Sequence, residues 1–141
     1  MCDGAYSDII IGSFGRWKPV NVGYGGFIST NDIGYFEKAE IPFSMTKVYP
    51  DSYPEILKKL QDAKKRLELF FDTCDKIKKD LSSFEILHKG RRGINVAVKF
   101  NDEKEKQKII KYCEQHNFNF VECPIKMRVE ENAISIEVKR L

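Results

Sequence analysis

Histidine is scarce in this chain of 141 residues, which contains only His88 and His116. Neither stands in a recognisable acid–base or nucleophile arrangement, so the commonest proton-transfer residue has no motif to work in. Closely paired cysteines are lacking as well. Cys2, Cys74, Cys113 and Cys123 are far apart in the chain, and Cys74 and Cys113 fall on apolar helical stripes. They read as free thiols of a reducing compartment, the cytoplasm, and not as a disulfide framework. No apolar run approaches the length of about 20 residues that spans a bilayer. The opening Met1, Cys2, Asp3, Gly4 has no basic start of a secretory signal. A strong charge of one sign is missing too: 24 Lys and Arg stand against 21 Asp and Glu, a net +3, which excludes neither a nucleic-acid nor a protein partner.

What is abundant is helical periodicity in the middle of the chain. Ile56, Leu60, Ala63, Leu67, Phe70, Cys74, Ile77 and Leu81 recur at alternating spacings of four and three, the stripe of one long helix. Pro54 suits its first turn, and Asp51 or Ser52 supplies a capping oxygen. At about 1.5 Å per residue the segment runs roughly 40 Å. Leu57 and Phe71 widen the stripe to the face of a core helix lying on a sheet, against the narrower seam of a coiled coil.

The flanks differ in kind. Residues 1–53 hold ten of the 17 aromatic residues and seven of the nine glycines. Strands are expected at Asp8–Ile11, at Val20–Val22, at Gly25–Thr30 and across the alternation of Phe43, Met45 and Lys47. After the helix, Phe84–His88 and Ile94–Phe100 predict a hairpin with the basic tip Lys89-Gly90-Arg91-Arg92-Gly93. A second helix is expected from Asp102 to about His116, with Asp102 and Glu105 at capping-box spacing. Its Lys104, Lys106, Lys108 and Lys111, with Glu103 and Glu105 between them, read as a solvated face. Phe118–Cys123 is a further strand, and the alternation through Ile125–Val129 and Ile134–Val138 predicts a half-exposed antiparallel hairpin. The expected fold is α+β, an antiparallel or mixed sheet packed against one long central helix and one shorter helix. It forms a single domain over 1–141, divided into a β segment at 1–53, the helix at 54–82 and a ββαβββ segment at 83–141.

Chemical motifs are thin. Gly23-Tyr24-Gly25-Gly26 has the glycines of a phosphate loop but is followed by a strand pattern, not by the helix that such a loop requires. Cys113, His116 and Cys123, with Cys74, have a spacing compatible with zinc but no pair at a close turn, and core packing is the simpler account. No metal and no cofactor is expected, and no catalytic motif is present.

The most suggestive constellation interleaves rings with cations. Trp17, Tyr24 and Tyr35 carry faces on which bases can stack, Arg16 and Lys18 set cations beside them, and Lys89, Arg91 and Arg92 carry charge for phosphates. Phe14, Phe27 and Phe36 are expected in the core. Residues 1–54 contain only four Lys or Arg against six Asp or Glu, so phosphate contacts must come from the basic loop and the helices. The expected function is therefore non-enzymatic binding of single-stranded DNA or RNA by stacking and phosphate contacts. The alternative is an assembly protein, a homodimer or the binder of another protein, that uses the long helix and no nucleic acid. A third is an enzyme with a small-substrate pocket under the aromatic segment.

Overall fold

The computed structural model describes residues 7–46, 48–124 and 129–141. It is an α+β fold with two antiparallel sheets, one long helix and shorter helices. Residues up to Lys64 form one compact unit and residues from Lys65 a second.

In the first unit β1 (Ile9–Ser13) pairs antiparallel with β2 (Gly26–Thr30), Ile9 opposite Thr30 and Ser13 opposite Gly26. The glycines here serve close approach. A Cβ on Gly12 would collide with the Phe27 ring, and one on Gly26 with the Gly12 carbonyl oxygen. Val20–Val22, expected as a strand, lies in the irregular connection between β1 and β2, where Val22 and Gly23 donate to the Phe14 carbonyl at 2.9 and 3.0 Å. The expected strand through Phe43 and Met45 is also corrected. Two short helices occupy this region, α1 (Ile33–Lys38) and α2 (Glu40–Met45), while Lys47 lies outside the described residues. Asp32 caps α1 by accepting from the Gly34 N–H at 2.9 Å. Pro42 falls in the first turn of α2, where its missing N–H costs nothing, and Phe36 meets Phe43 with ring centroids 5.7 Å apart. Alternation over six residues is outweighed by the first-turn proline and the Phe36–Phe43 contact.

The long helix α3 (Tyr53–Asp80) is uninterrupted. A short 3-10 turn, Pro50–Ser52, leads into it, and Ser52, expected as a cap, pairs its hydroxyl with that of Tyr24. Its apolar stripe changes character along its length. Ala63, Phe70, Cys74, Ile77 and Leu81 are buried, whereas Leu57 and Leu60 are exposed. Leu57 therefore does not widen a core face as its spacing suggested.

The second unit is built on a three-stranded antiparallel sheet in the order β3 (Val96–Lys99), β5 (Ala133–Ile136), β4 (Phe120–Cys123). Val96 and Phe120 both stand opposite Ile136, from its two sides. The helix α4 (Glu103–Gln115) starts at Asp102, whose carboxylate accepts from the Glu105 N–H at 2.7 Å. Glu105 reaches back to Asn101, accepting from its backbone N–H at 2.9 Å, so the reciprocal half of the capping box is displaced by one residue. Phe70, Cys74 and Ile77 from α3, Ile109 and Cys113 from α4, and valines and isoleucines of the sheet make one apolar core.

Two expectations in this unit change. The segment 84–88 contributes only an isolated bridge, Ile86 to Val98, with Leu87 donating to Ala97 at 2.9 Å. β5 is central, with every residue buried, so the polar side of its alternation is not solvated. Ser135 and Glu137 lie inside at 1% and 3% exposure. The Glu137 carboxylate accepts from Ser135 Oγ and Asn95 Nδ2, each at 3.0 Å, and pairs with Lys139 at 2.9 Å and Arg140 at 3.6 Å. Buried charge is tolerated there because it is hydrogen-bonded and paired. Of the expected partner strand, residues 125–128 lie outside the described residues.

Candidate nucleic-acid interface

Trp17 sits in a turn closed by its own backbone. Lys18 donates to the Gly15 carbonyl at 3.2 Å, and the Trp17 N–H donates to Asn21 Oδ1 at 3.1 Å. The backbone of Trp17 is left-handed, φ 64, which for a bulky residue costs about 1–3 kcal/mol and is concentrated in proteins at functional positions. Its side chain is 41% exposed, and Arg16 and Lys18 beside it are exposed too. Tyr24 and Tyr35 are each nearly half exposed, the first on the glycine-rich turn and the second on α1. Gly23 and Gly25 take positive φ and lead into β2, so Gly23–Gly26 is a strand-entry turn with no helix behind it to hold phosphate.

Lys89, Arg91 and Arg92 lie on the exposed loop of the second unit. They are not equally available. The Arg92 guanidinium rests over the Phe71 ring at 4.9 Å, and Lys78 Nζ donates to the Arg91 carbonyl at 2.9 Å. These contacts fasten the loop to the second half of α3 and leave the Lys89 and Arg91 side chains outward. The rings of Trp17, Tyr24 and Tyr35 thus belong to one unit and the loop cations to the other.

The thiols and His116 do not converge. Cys74 and Cys113 are packed in the core, where burial pushes each thiol up to about 11. Burial raises Cys123 as well. His116 is exposed at the end of α4. Among the described residues no cluster of His, Cys, Asp and Glu is arranged to hold a metal ion.

The first unit also carries an apolar cavity of about 680 Å³, walled by Ile11, Phe14, Phe27, Phe36, Phe43 and Ile56. Phe14 is core, as expected, but Phe27 is 45% exposed and corrects its assignment. Among the described residues, Tyr53 is the one titratable side chain on this wall. Among the described residues, only Leu69 and Leu141 of the exposed large apolar side chains fall in the second unit.

A basic and aromatic cluster that the ring-and-cation pattern missed lies on α4. Lys104, Lys108 and Lys111 are exposed and line one shallow groove with Glu103 and Gln107. At the helix end the His116 ring lies 4.5 Å from Tyr112 and 5.8 Å from Phe118, centroid to centroid. The four-three spacing of the lysines was visible in the sequence. The destinations of the intervening carboxylates were not.

Residues 64–141 match the MJ1341 family C-terminal domain. The chain belongs to the MJ1341 family. The family domain begins where the second structural unit begins, so it contains the Lys89–Arg92 loop and α4, while Trp17 and its neighbours precede it. No curated protein and no solved structure matches the chain. No helix among the described residues is long and apolar enough to cross a membrane.

Proposed function

We propose that the protein is a non-enzymatic binder of single-stranded DNA or RNA, working in the cytoplasm. The observation that carries this reading is Trp17, a large ring held in a left-handed backbone on a hydrogen-bonded turn between two exposed cations. A tryptophan kept in that conformation at the surface has the form of a stacking platform, and Arg16 and Lys18 have the charge to meet the adjoining phosphates. Tyr24 and Tyr35 add exposed rings, and Lys89, Arg91 and Arg92 add cations. Trp17→Gly supplies the test because glycine favours positive φ, so a fold that survives the change separates binding from unfolding. On a fluorescent single strand it should cost about 1–3 kcal/mol of affinity with the salt slope unchanged. Arg91→Ala with Arg92→Ala should flatten the log–log salt slope by about 0.7 for each phosphate no longer neutralised. Failure of the wild-type protein to bind at low salt ends this reading.

A second reading draws on the exposed apolar side chains of the first unit. Ile11, Ile33, Ile41, Met45 and Tyr49 are each more than two-thirds exposed, and Leu57 and Leu60 are open on α3. Exposed apolar side chains in this number suit a protein contact, and on this reading a second copy of the chain covers them. Sedimentation across a range of concentrations tests it: a dimer that Leu57→Asp with Leu60→Asp returns to monomer supports the reading, and a wild-type monomer at all concentrations refutes it.

A further inference from the structure

Lys104, Lys108 and Lys111 are four and three residues apart and therefore share one face of α4. At about 1.5 Å per residue they span roughly 10 Å, a length over which each lysine can meet a different phosphate of a bound strand. None of the three enters an ion pair among the described residues, although Glu103 borders the same groove, because the neighbouring carboxylates hold other partners. Glu103 accepts from Gln107 Nε2 at 2.6 Å and pairs with Lys106 at 3.6 Å. Glu105 is drawn back to Asn101. Lys106 itself is taken up by Glu122 at 2.7 Å, beside the Phe100 ring. Glu114, exposed one turn beyond Lys111, is the remaining acid of this helix.

A ring platform adjoins the stripe. Asn117 turns left-handed after α4, φ 54, and brings Phe118 back beside His116 at an interplanar angle of 21°. Tyr112 supports the His116 ring from the helix and is fixed by donating its hydroxyl to Asp80 Oδ2 at 2.7 Å. His116 is exposed, while Tyr112 and Phe118 behind it are half-buried. A flat ring braced from within and open outward is what a stacked base requires.

We infer that α4 is a track for single-stranded nucleic acid, with Lys104, Lys108 and Lys111 holding successive phosphates and the braced His116 ring taking a base. This inference rests on the reading that the protein binds single strands, but it assigns the work to residues of the family domain that the Trp17 turn does not include. Its test is anisotropy titration of fluorescein-labelled oligouridylate at several salt concentrations, using the full chain. Changing all three lysines to Gln, at exposed helical positions that leave the fold intact, should weaken binding and flatten the log–log salt slope by about 2, roughly 0.7 per phosphate. His116→Ala should weaken binding about five- to 150-fold with the slope unchanged, because a stacked ring releases no counterion. A wild-type slope in the lysine variant overturns the phosphate track. Unchanged affinity in His116→Ala, with inorganic polyphosphate competing as strongly as oligouridylate, overturns the base platform and leaves a plain polyanion surface. Loss of binding in Trp17→Gly while both α4 variants bind normally refutes the track and preserves the broader reading. No binding by the wild-type chain at low salt removes both.

Discussion

Removing the carboxylate of Glu137 tests the least expected feature of the second unit, an ionised side chain inside a central strand connection. Glu137→Ala takes one partner from each of four groups at once. The Ser135 hydroxyl and the Asn95 amide lose their acceptor, and Asn95 already has a buried Oδ1 without a hydrogen-bond partner among the described residues. Each buried donor left unpaired costs about 1–3 kcal/mol. Lys139 and Arg140 lose their counter-charge, but their side chains are 23% and 28% exposed, and water recovers part of that loss. Breaking a buried pair from one side costs about 3–5 kcal/mol, so the low end, about 3 kcal/mol, is expected. Glu137→Gln keeps the shape and one acceptor oxygen, loses the charge and the second acceptor, and should cost about half as much. Urea denaturation of both variants measures this, provided the slope of stability against urea stays at its wild-type value. A loss under about 1 kcal/mol for Glu137→Ala would refute the reasoning, since it would mean that the four partners find water without cost.

Two further outcomes follow from packing and burial. Phe70→Ala, at a fully buried ring in the second-unit core, should cost about 3–5 kcal/mol, while Leu57→Ala, at 59% exposure on the same helix, should stay within about 0.5 kcal/mol; equal losses in thermal unfolding would contradict the described change in the helix stripe. Burial raises Cys74 and Cys113 from 9.0 to about 11, so the folded state keeps protons that the unfolded chain releases. Their contribution to stability is complete below about pH 9 and is lost as pH rises toward 11. Melting temperature should fall across that window, less steeply in a Cys74→Ala, Cys113→Ala variant, and an identical pH profile in that variant would count against the thiols as the source.

The elements legible in advance were those whose signals are local and redundant. The long helix follows from a stripe repeated over many turns, and α4 follows from Asp102 and Glu105 at its start with Ile109 and Cys113 on one face. Trp17, which the sequence offers as a stacking ring between two cations, is exposed. Signals carried by a few residues misled: Phe43 and Met45 alternate like a strand but join a helix, since so short an alternation is outweighed by a first-turn proline and the Phe36–Phe43 contact.

Burial is where the sequence by itself stopped. Spacing placed Leu57 and Leu60 on the same stripe as Phe70 and Ile77, but whether a stripe is covered depends on what other segments supply at that height of the helix. The same holds for β5, where alternating Ile134, Ser135, Ile136 and Glu137 read as one wet face. Strands on both sides, and donors from Asn95, Ser135 and Lys139, turned that face inward. The sequence determined periodicity, and hence the elements and their apolar faces, because periodicity is a property of neighbouring residues. Tertiary structure alone decided which charges remain open, leaving Lys104, Lys108 and Lys111 outward while Lys106, Arg92 and Glu137 are occupied, because a partner for each charge arrives from a distant part of the chain.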